Sequence, residues 1–195
     1  SGQNNVIFNS SMQSIDIYEG KGPKQKLKRP HGIVCSENGE VYITDTGHHR
    51  IVKLQNPGGY LQFVDAFGKE GARHGEFRQP MGIALTSDGR IYVADTGNDR
   101  VQVFDRQMQF LFVIGERTDS VNYSETLFQP SALAVTDPGE SARHFNDNFL
   151  IVTDLNDTRL SKFSLEGRFM AAVNSTDYGF PKVSLSSVAL DFYSN

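Results

Sequence analysis

Apolar and polar residues alternate along two segments of this chain that start fifty positions apart. VYITDTGHHRIVKL runs from Val41 to Leu54, and IYVADTGNDRVQVF runs from Ile91 to Phe104. Each segment alternates with the period of a β-strand, passes through a short polar stretch and then alternates again. We therefore predict a β-hairpin in each segment. We also predict a repeat protein, because one hairpin cannot bury both of its faces alone.

The polar stretch between the two strands has the same residue order in both copies. Asp45 or Asp95 leaves the first strand, Thr-Gly follows, and Arg50 or Arg100 opens the return strand. We expect the glycine to supply a permissive backbone conformation for a tight turn.

A third copy, LIVTDLNDTRLSKF over residues 150–163, keeps the aspartate and the arginine as Asp154 and Arg159. It has Leu155-Asn156 where the other copies have Thr-Gly. A catalyst needs one site, whereas this pair recurs in every copy. We therefore interpret the three Asp/Arg pairs as hydrogen-bond and ion-pair partners that fix the turns.

Three prolines, Pro30, Pro80 and Pro130, are spaced by 50 residues, and each precedes a short apolar run. Proline as the first residue of a strand costs no ladder hydrogen bond, so each run is predicted to be the first strand of a repeat. In the third copy the aspartate follows its proline nine residues later than in the others. We place this insertion within residues 137–148 and predict a loop there.

The pattern from Pro80 to Phe104, followed by a glycine-containing strand and an F-G-x-x-G loop, resembles the NHL repeat. The resemblance implies an all-β chain that forms an NHL-type β-propeller with four antiparallel strands per blade, usually in a closed ring of six blades. On this basis the chain is predicted to divide into the last two strands of a first blade at 1–20, whole blades at 30–77, 80–128 and 130–174, and the first strand of a truncated blade at 183–195.

A closed ring of six blades of about 45 residues would need roughly 270 residues. The 195 residues of this chain therefore predict an incomplete, open propeller of about four blades. Such an arc would expose strand edges at both ends, so we expect either edge-mediated self-association or limited stability.

In a propeller, the loops between blades and the loops between the two middle strands emerge on one face, which we call the loop face. Residues 21–78 carry ten Lys/Arg against six Asp/Glu, although the whole chain has a net charge of −4. We predict a ligand-binding surface there, called the basic patch, which consists of Lys26, Lys28, Arg29, His31, His48, His49, Arg73 and His74.

The chain is similar to the NHL domains of tripartite-motif ubiquitin ligases and their relatives. Those domains bind proteins or single-stranded RNA through this face. The resemblance thus implies a non-catalytic recognition module. A protein or peptide partner is favoured by the negative net charge, and single-stranded RNA is the alternative partner. Aromatic residues for base stacking are scarce on this face, where Phe77 and Tyr123 are the nearby ones.

A propeller enzyme with its site in the central channel, such as a metal-dependent lyase or a lactonase-like hydrolase, is the alternative function. His31 follows a proline, as the metal-binding histidines of peptide-amidating lyases do, but Met81 and Ser131 occupy the corresponding positions of the next copies. Zinc takes at least three protein ligands, so we predict no metal site. We also predict no cofactor and no catalytic residues.

Composition and sequons address membrane insertion, disulfide bonding and cellular location. No apolar run approaches the roughly 20 residues of a membrane-spanning helix, so we expect no membrane insertion. Cys35 is the single cysteine, which excludes an intrachain disulfide. The cytoplasm is the favoured location, and four Asn-X-Ser/Thr sequons, at Asn9, Asn122, Asn156 and Asn174, keep an extracellular location open.

Overall fold

The structure is a computed structural model. It describes residues 22, 24–57, 60–116, 125–136, 148–155, 158–174, 177 and 188, together with the backbone of 5–8 and 14–18.

Fourteen β-strands, connected in places by short 3₁₀ turns, make up the regular structure of the described residues. They are β1 (Asn5–Phe8), β2 (Ser14–Tyr18), β3 (Pro30–Cys35), β4 (Glu40–Asp45), β5 (Arg50–Gln55), β6 (Gln62–Phe67), β7 (Ile83–Leu85), β8 (Ile91–Asp95), β9 (Arg100–Phe104), β10 (Phe110–Ile114), β11 (Pro130–Val135), β12 (Phe149–Asp154), β13 (Arg159–Ser164) and β14 (Phe169–Asn174). The predicted all-β class is confirmed.

The strands form antiparallel sheets in chain order. β3–β6, β7–β10 and β11–β14 each form one four-stranded sheet, and β1 pairs with β2 in a two-stranded sheet. We call the three four-stranded sheets, which follow the partial blade predicted at 1–20, the first, second and third blades from here on. The predicted whole blades at 30–77, 80–128 and 130–174 each contain one of these sheets. Apart from Asn148 and Val188, the predicted insertion within 137–148 and the predicted strand at 183–195 lie outside the described residues.

The second strand of every blade is buried on both of its faces. In β8 and β12 each residue is buried, and in β4 only Glu40 is half-buried. A strand of this kind reads as a nearly continuous apolar run, as Ile91 to Ala94 does. These strands therefore contribute side chains to the packing on either side of their sheet.

Apolar side chains fill the two seams between neighbouring blades. Between the first and second blades, Tyr42 and Ile51 pack with Ile83, Val93 and Phe104. The seam between the second and third blades is filled by a larger cluster that includes Tyr92, Val101, Val103, Leu150, Val152 and Phe163. Burial of this area is what holds the blades face to face.

Among the described residues, no helix has the length and apolar character needed to cross a membrane. Three of the four sequon asparagines lie outside the described residues. The fourth, Asn174, is half-buried at the end of β14, where its backbone N–H donates to Asp177 Oδ2 at 2.8 Å.

Candidate functional site: the loop face

A fully buried carboxylate lies at the end of the second strand in each blade. Asp45, Asp95 and Asp154 are each 0% exposed. Their Oδ1 atoms accept backbone N–H groups from the loops that enter the blades, namely those of Lys28 at 2.6 Å, Arg78 at 2.7 Å and Phe128 at 3.1 Å. Each entering loop is thereby tied to the hairpin of its own blade.

The arginine of each predicted pair binds the other oxygen of the same carboxylate. The distances from nitrogen to Oδ2 are 2.7 Å for Arg50, 2.9 Å for Arg100 and 3.1 Å for Arg159.

Each arginine also donates to a backbone carbonyl of the entering loop. Arg50 Nη2 donates to Lys26 O at 3.0 Å, Arg100 Nη2 donates to Arg73 O at 2.9 Å, and Arg159 Nη2 donates to Thr126 O. The six residues predicted as turn pairs thus form three joined networks, each of which connects a turn to a loop.

The reason for glycine in the turn differs from our expectation. Neither Gly47 nor Gly97 has a positive φ; the left-handed residues of the two turns are His49 (φ 55°) and Asp99 (φ 53°). Glycine is needed for close approach, because a Cβ at residue 47 would lie 2.6 Å from Lys28 O and 2.6 Å from Lys28 Cγ. The expectation of a special glycine backbone was therefore wrong.

Side chains of the two left-handed turn residues reach across the seams. His49 Nδ1 accepts the backbone N–H of Gln79 at 3.1 Å, and Asp99 Oδ1 accepts that of Gln129 at 2.8 Å. His49 must hold its proton on Nε2 to accept this bond. The threonines of the same turns also donate across the seams, from Thr46 Oγ1 to Pro80 O at 2.5 Å and from Thr96 Oγ1 to Pro130 O at 2.7 Å.

Most of the basic patch surrounds the first of these turns. Lys26, Lys28, Arg29, His31 and His48 are exposed, and His49 is half-buried. His48 Nδ1 lies 2.8 Å from Asp45 Oδ2, so this histidine is part of the buried-carboxylate network.

Arg73 and His74 contact the second blade instead. Arg73 binds Arg100 through its carbonyl, and the His74 ring stacks on Phe110 with centroids 4.0 Å apart and planes at 10°. The backbone N–H of Arg73 also donates to Glu76 Oε2 at 3.2 Å. This bond lowers the pKa of Glu76, with a further contribution from Lys69, so that the carboxylate stays charged.

Our sequence prediction omitted Arg78, which the structure places as the counterpart of Lys28 in the second blade. A Cβ at Gly97 would lie 2.7 Å from Arg78 Cγ, just as one at Gly47 would meet Lys28. The 50-residue period of the prolines would have identified this residue, since Arg78 follows Lys28 by 50 positions.

Positive charge on the loops of the first two blades is in excess after ion pairing. Asp45, Asp95 and Glu76 are bound by Arg50, Arg100 and Lys69, respectively. Six cations of these loops form no ion pair with a described residue, namely Lys24, Lys26, Lys28, Arg29, Arg73 and Arg78. Only two acids of the same described loops, Glu70 and Asp99, likewise form none. An exposed surface of this kind attracts anionic groups.

His31, the residue that suggested a lyase-type metal site, is exposed on β3. The described residues contain no group of three or more His, Cys, Asp or Glu that could hold a metal ion.

Cys35 lies at the other end of β3, on the face opposite the loop face. It lines an open cleft of about 330 Å³ with Glu37, Leu85 and Arg106. Burial raises the pKa of the Cys35 thiol, which lowers the fraction of the nucleophilic thiolate at neutral pH.

Four-stranded antiparallel blades that pack face to face through apolar seams define a β-propeller. The NHL repeat model matches residues 27–54 and 77–104, which cover the entering loop and the central hairpin of the first two blades. These two segments are therefore NHL repeats within a β-propeller.

Known proteins match the chain over parts of their length. Over 71 residues it is 30% identical to the protein SUPPRESSOR OF QUENCHING 1, chloroplastic, of Arabidopsis thaliana, a region that covers 36% of this chain and 7% of the relative.

Solved structures share the fold at low identity. Hydrazine synthase from Kuenenia stuttgartiensis aligns at 15% identity with a TM-score of 0.58, over 87% of this chain and 41% of that one. A catalytically inactive virginiamycin B lyase from Staphylococcus aureus, solved with quinupristin, aligns at 16% identity with a TM-score of 0.56, over 86% and 47%. The chain thus spans less than half the length of each of these proteins, and the similarity shows the fold alone.

Proposed function

We propose that this NHL propeller region is a non-catalytic recognition module that binds a partner through its loop face. The observation that carries the proposal is the imbalance of charge described above. Exposed cations on the loops of the first two blades lack ion-pair partners among the described residues, while the turn carboxylates below them are engaged.

Rigid loop backbones favour binding over a merely solvated surface. The carboxylate networks of Asp45 and Asp95 hold the entering loops by both N–H and C=O groups, so their exposed side chains start from fixed backbone positions. A surface that is ordered before binding loses less conformational entropy when its partner arrives.

An enzyme site in the central channel is the competing proposal. It is favoured by the exposed position of His31 on a first strand and by the shared fold with virginiamycin B lyase. Such a site would bring titratable groups from several blades to one point, whereas a recognition surface would spread across loops.

Photo-crosslinking in the cells that express the protein distinguishes the two proposals. A photoreactive amino acid is placed at Arg29 on the loop face or, as the matched control, at Asn38 in the exposed β3–β4 turn of the opposite face. We expect a specific protein or nucleic-acid adduct from position 29 that is absent from position 38. Equal adducts from both positions, or none from position 29, would overturn the proposal.

A further inference from the structure

Lys28 and Arg78 occupy equivalent points on neighbouring blades. Their carbonyls accept the turn amides of Gly47 at 2.8 Å and Gly97 at 2.7 Å, in addition to the carboxylate bonds that hold their N–H groups. In both cases the aliphatic part of the side chain lies on a turn glycine. Two exposed cations are therefore presented in the same way on either side of one seam.

Hydrogen bonds cross this seam beside the two cations. The bond from Gln79 to His49 joins the loop that carries Arg78 to the turn beside Lys28. Arg29 is also exposed and follows Lys28 directly, with φ 49°. A ligand that crosses from the first to the second blade would meet three cations on fixed backbone.

Charge alone does not distinguish a carboxylate ligand from a phosphate ligand, but the aromatic side chains of the described residues favour the carboxylate; Tyr123 lies outside those residues. Single-stranded nucleic acid is bound by stacking its bases on exposed rings as well as by its phosphates. Tyr60 is the one exposed Phe or Tyr among the described residues, and it lies between β5 and β6 on the opposite face. Phe77 is 1% exposed, and the ring of His74 is already stacked on Phe110.

We propose that the loop face binds an acidic peptide segment of a partner protein, which crosses the seam between the first and second blades with its carboxylates paired to Lys28, Arg29 and Arg78. Guanidinium groups match carboxylates with two parallel hydrogen bonds, so Arg78 contributes geometry as well as charge. The inference rests on the proposed function and names the ligand class of the same surface.

The test uses the full chain and two probes of equal net charge, a fluorescein-labelled hexaglutamate peptide and a labelled oligouridylate, titrated by fluorescence anisotropy at about 50 and about 200 mM salt. The variants are Lys28→Glu with Arg78→Glu and, as the matched control of equal charge change, a double reversal at Lys162 and Arg168, away from the loop face. Arg78→Lys tests whether geometry matters besides charge.

We expect the peptide to bind about tenfold or more weakly to the loop-face double variant, to bind unchanged to the control, and to lose part of its affinity with Arg78→Lys. If the oligouridylate binds more tightly than the peptide, and its binding also depends on Lys28 and Arg78, the acidic-peptide inference is wrong. Recognition through the loop face would then still stand. Equal loss in the loop-face variant and the control would also overturn the inference. In that case the crosslinking comparison of positions 29 and 38 tests, independently, whether the loop face is a recognition surface.

Discussion

Neutralising the buried carboxylate of the second blade should destabilise the propeller strongly. Asp95 Oδ2 accepts from Arg100, Asn98 and Gln102 at 2.9, 2.9 and 3.0 Å, and Oδ1 accepts from Arg78 at 2.7 Å. Asp95→Asn places an amide donor against at least one of these donors. It also removes the buried counter-charge of Arg100, whose side chain is 3% exposed.

Breaking a buried ion pair typically costs 3–5 kcal/mol, and we take about 3 kcal/mol because Arg100 keeps Glu116 at 3.0 Å. For a chain of this size that loss corresponds to a fall in Tm of roughly 6–12 °C. Thermal unfolding followed by circular dichroism measures it directly.

Asp88→Asn is the matched control, because Asp88 binds Arg90 at the same 2.9 Å but is 45% exposed in its side chain. Solvent screening should limit its cost to at most about 1 kcal/mol. Equal falls in Tm for the two variants would mean that burial does not give the turn carboxylates their structural role.

Three further predictions concern Tyr92, the turn glycine Gly97 and the seam residue His49. Burial raises the pKa of Tyr92 to about 12, so its contribution to stability is complete below pH 10 and is lost as the pH rises through 12. Urea unfolding should show about 2–3 kcal/mol of this loss, and Tyr92→Phe should abolish that component. Gly97→Ala places a Cβ 2.8 Å from Arg78 O and should cost about 1–3 kcal/mol, whereas Gly22→Ala, whose nearest contact is 3.8 Å, should change the free energy of unfolding by less than about 0.5 kcal/mol. His49→Ala should cost about 1–2 kcal/mol because it removes the acceptor for Gln79, and His49→Asp should restore the stability by copying Asp99; failure of this rescue would count against the seam bond.

The sequence predicted the hairpins well because their physical determinants are local and repeated. The apolar run from Ile91 to Ala94 indicates β8, the alternation from Arg100 to Phe104 indicates β9, and the first blade repeats the same pattern 50 residues earlier. The resemblance to NHL repeats rested on the same residues.

The contacts of the loop face join residues that are far apart in sequence. Local sequence patterns therefore did not predict them. Gly47 is needed because Lys28, nineteen positions earlier, lies on top of it. The stack of His74 on Phe110 likewise joins a loop to the outermost strand of the next blade. Arg78 could have been predicted from the sequence, because the 50-residue spacing of the prolines aligns it with Lys28.

Affinity for the partner captured at position 29 shows whether Lys28 and Arg78 belong to the recognition surface. The natural partner is titrated against the unaltered chain and against the chain carrying Lys28→Glu and Arg78→Glu, with unfolding curves recorded for both proteins. We expect the double variant to lose about tenfold or more in affinity at unchanged stability. Unchanged affinity in the double variant would contradict the claim that these cations form the recognition surface.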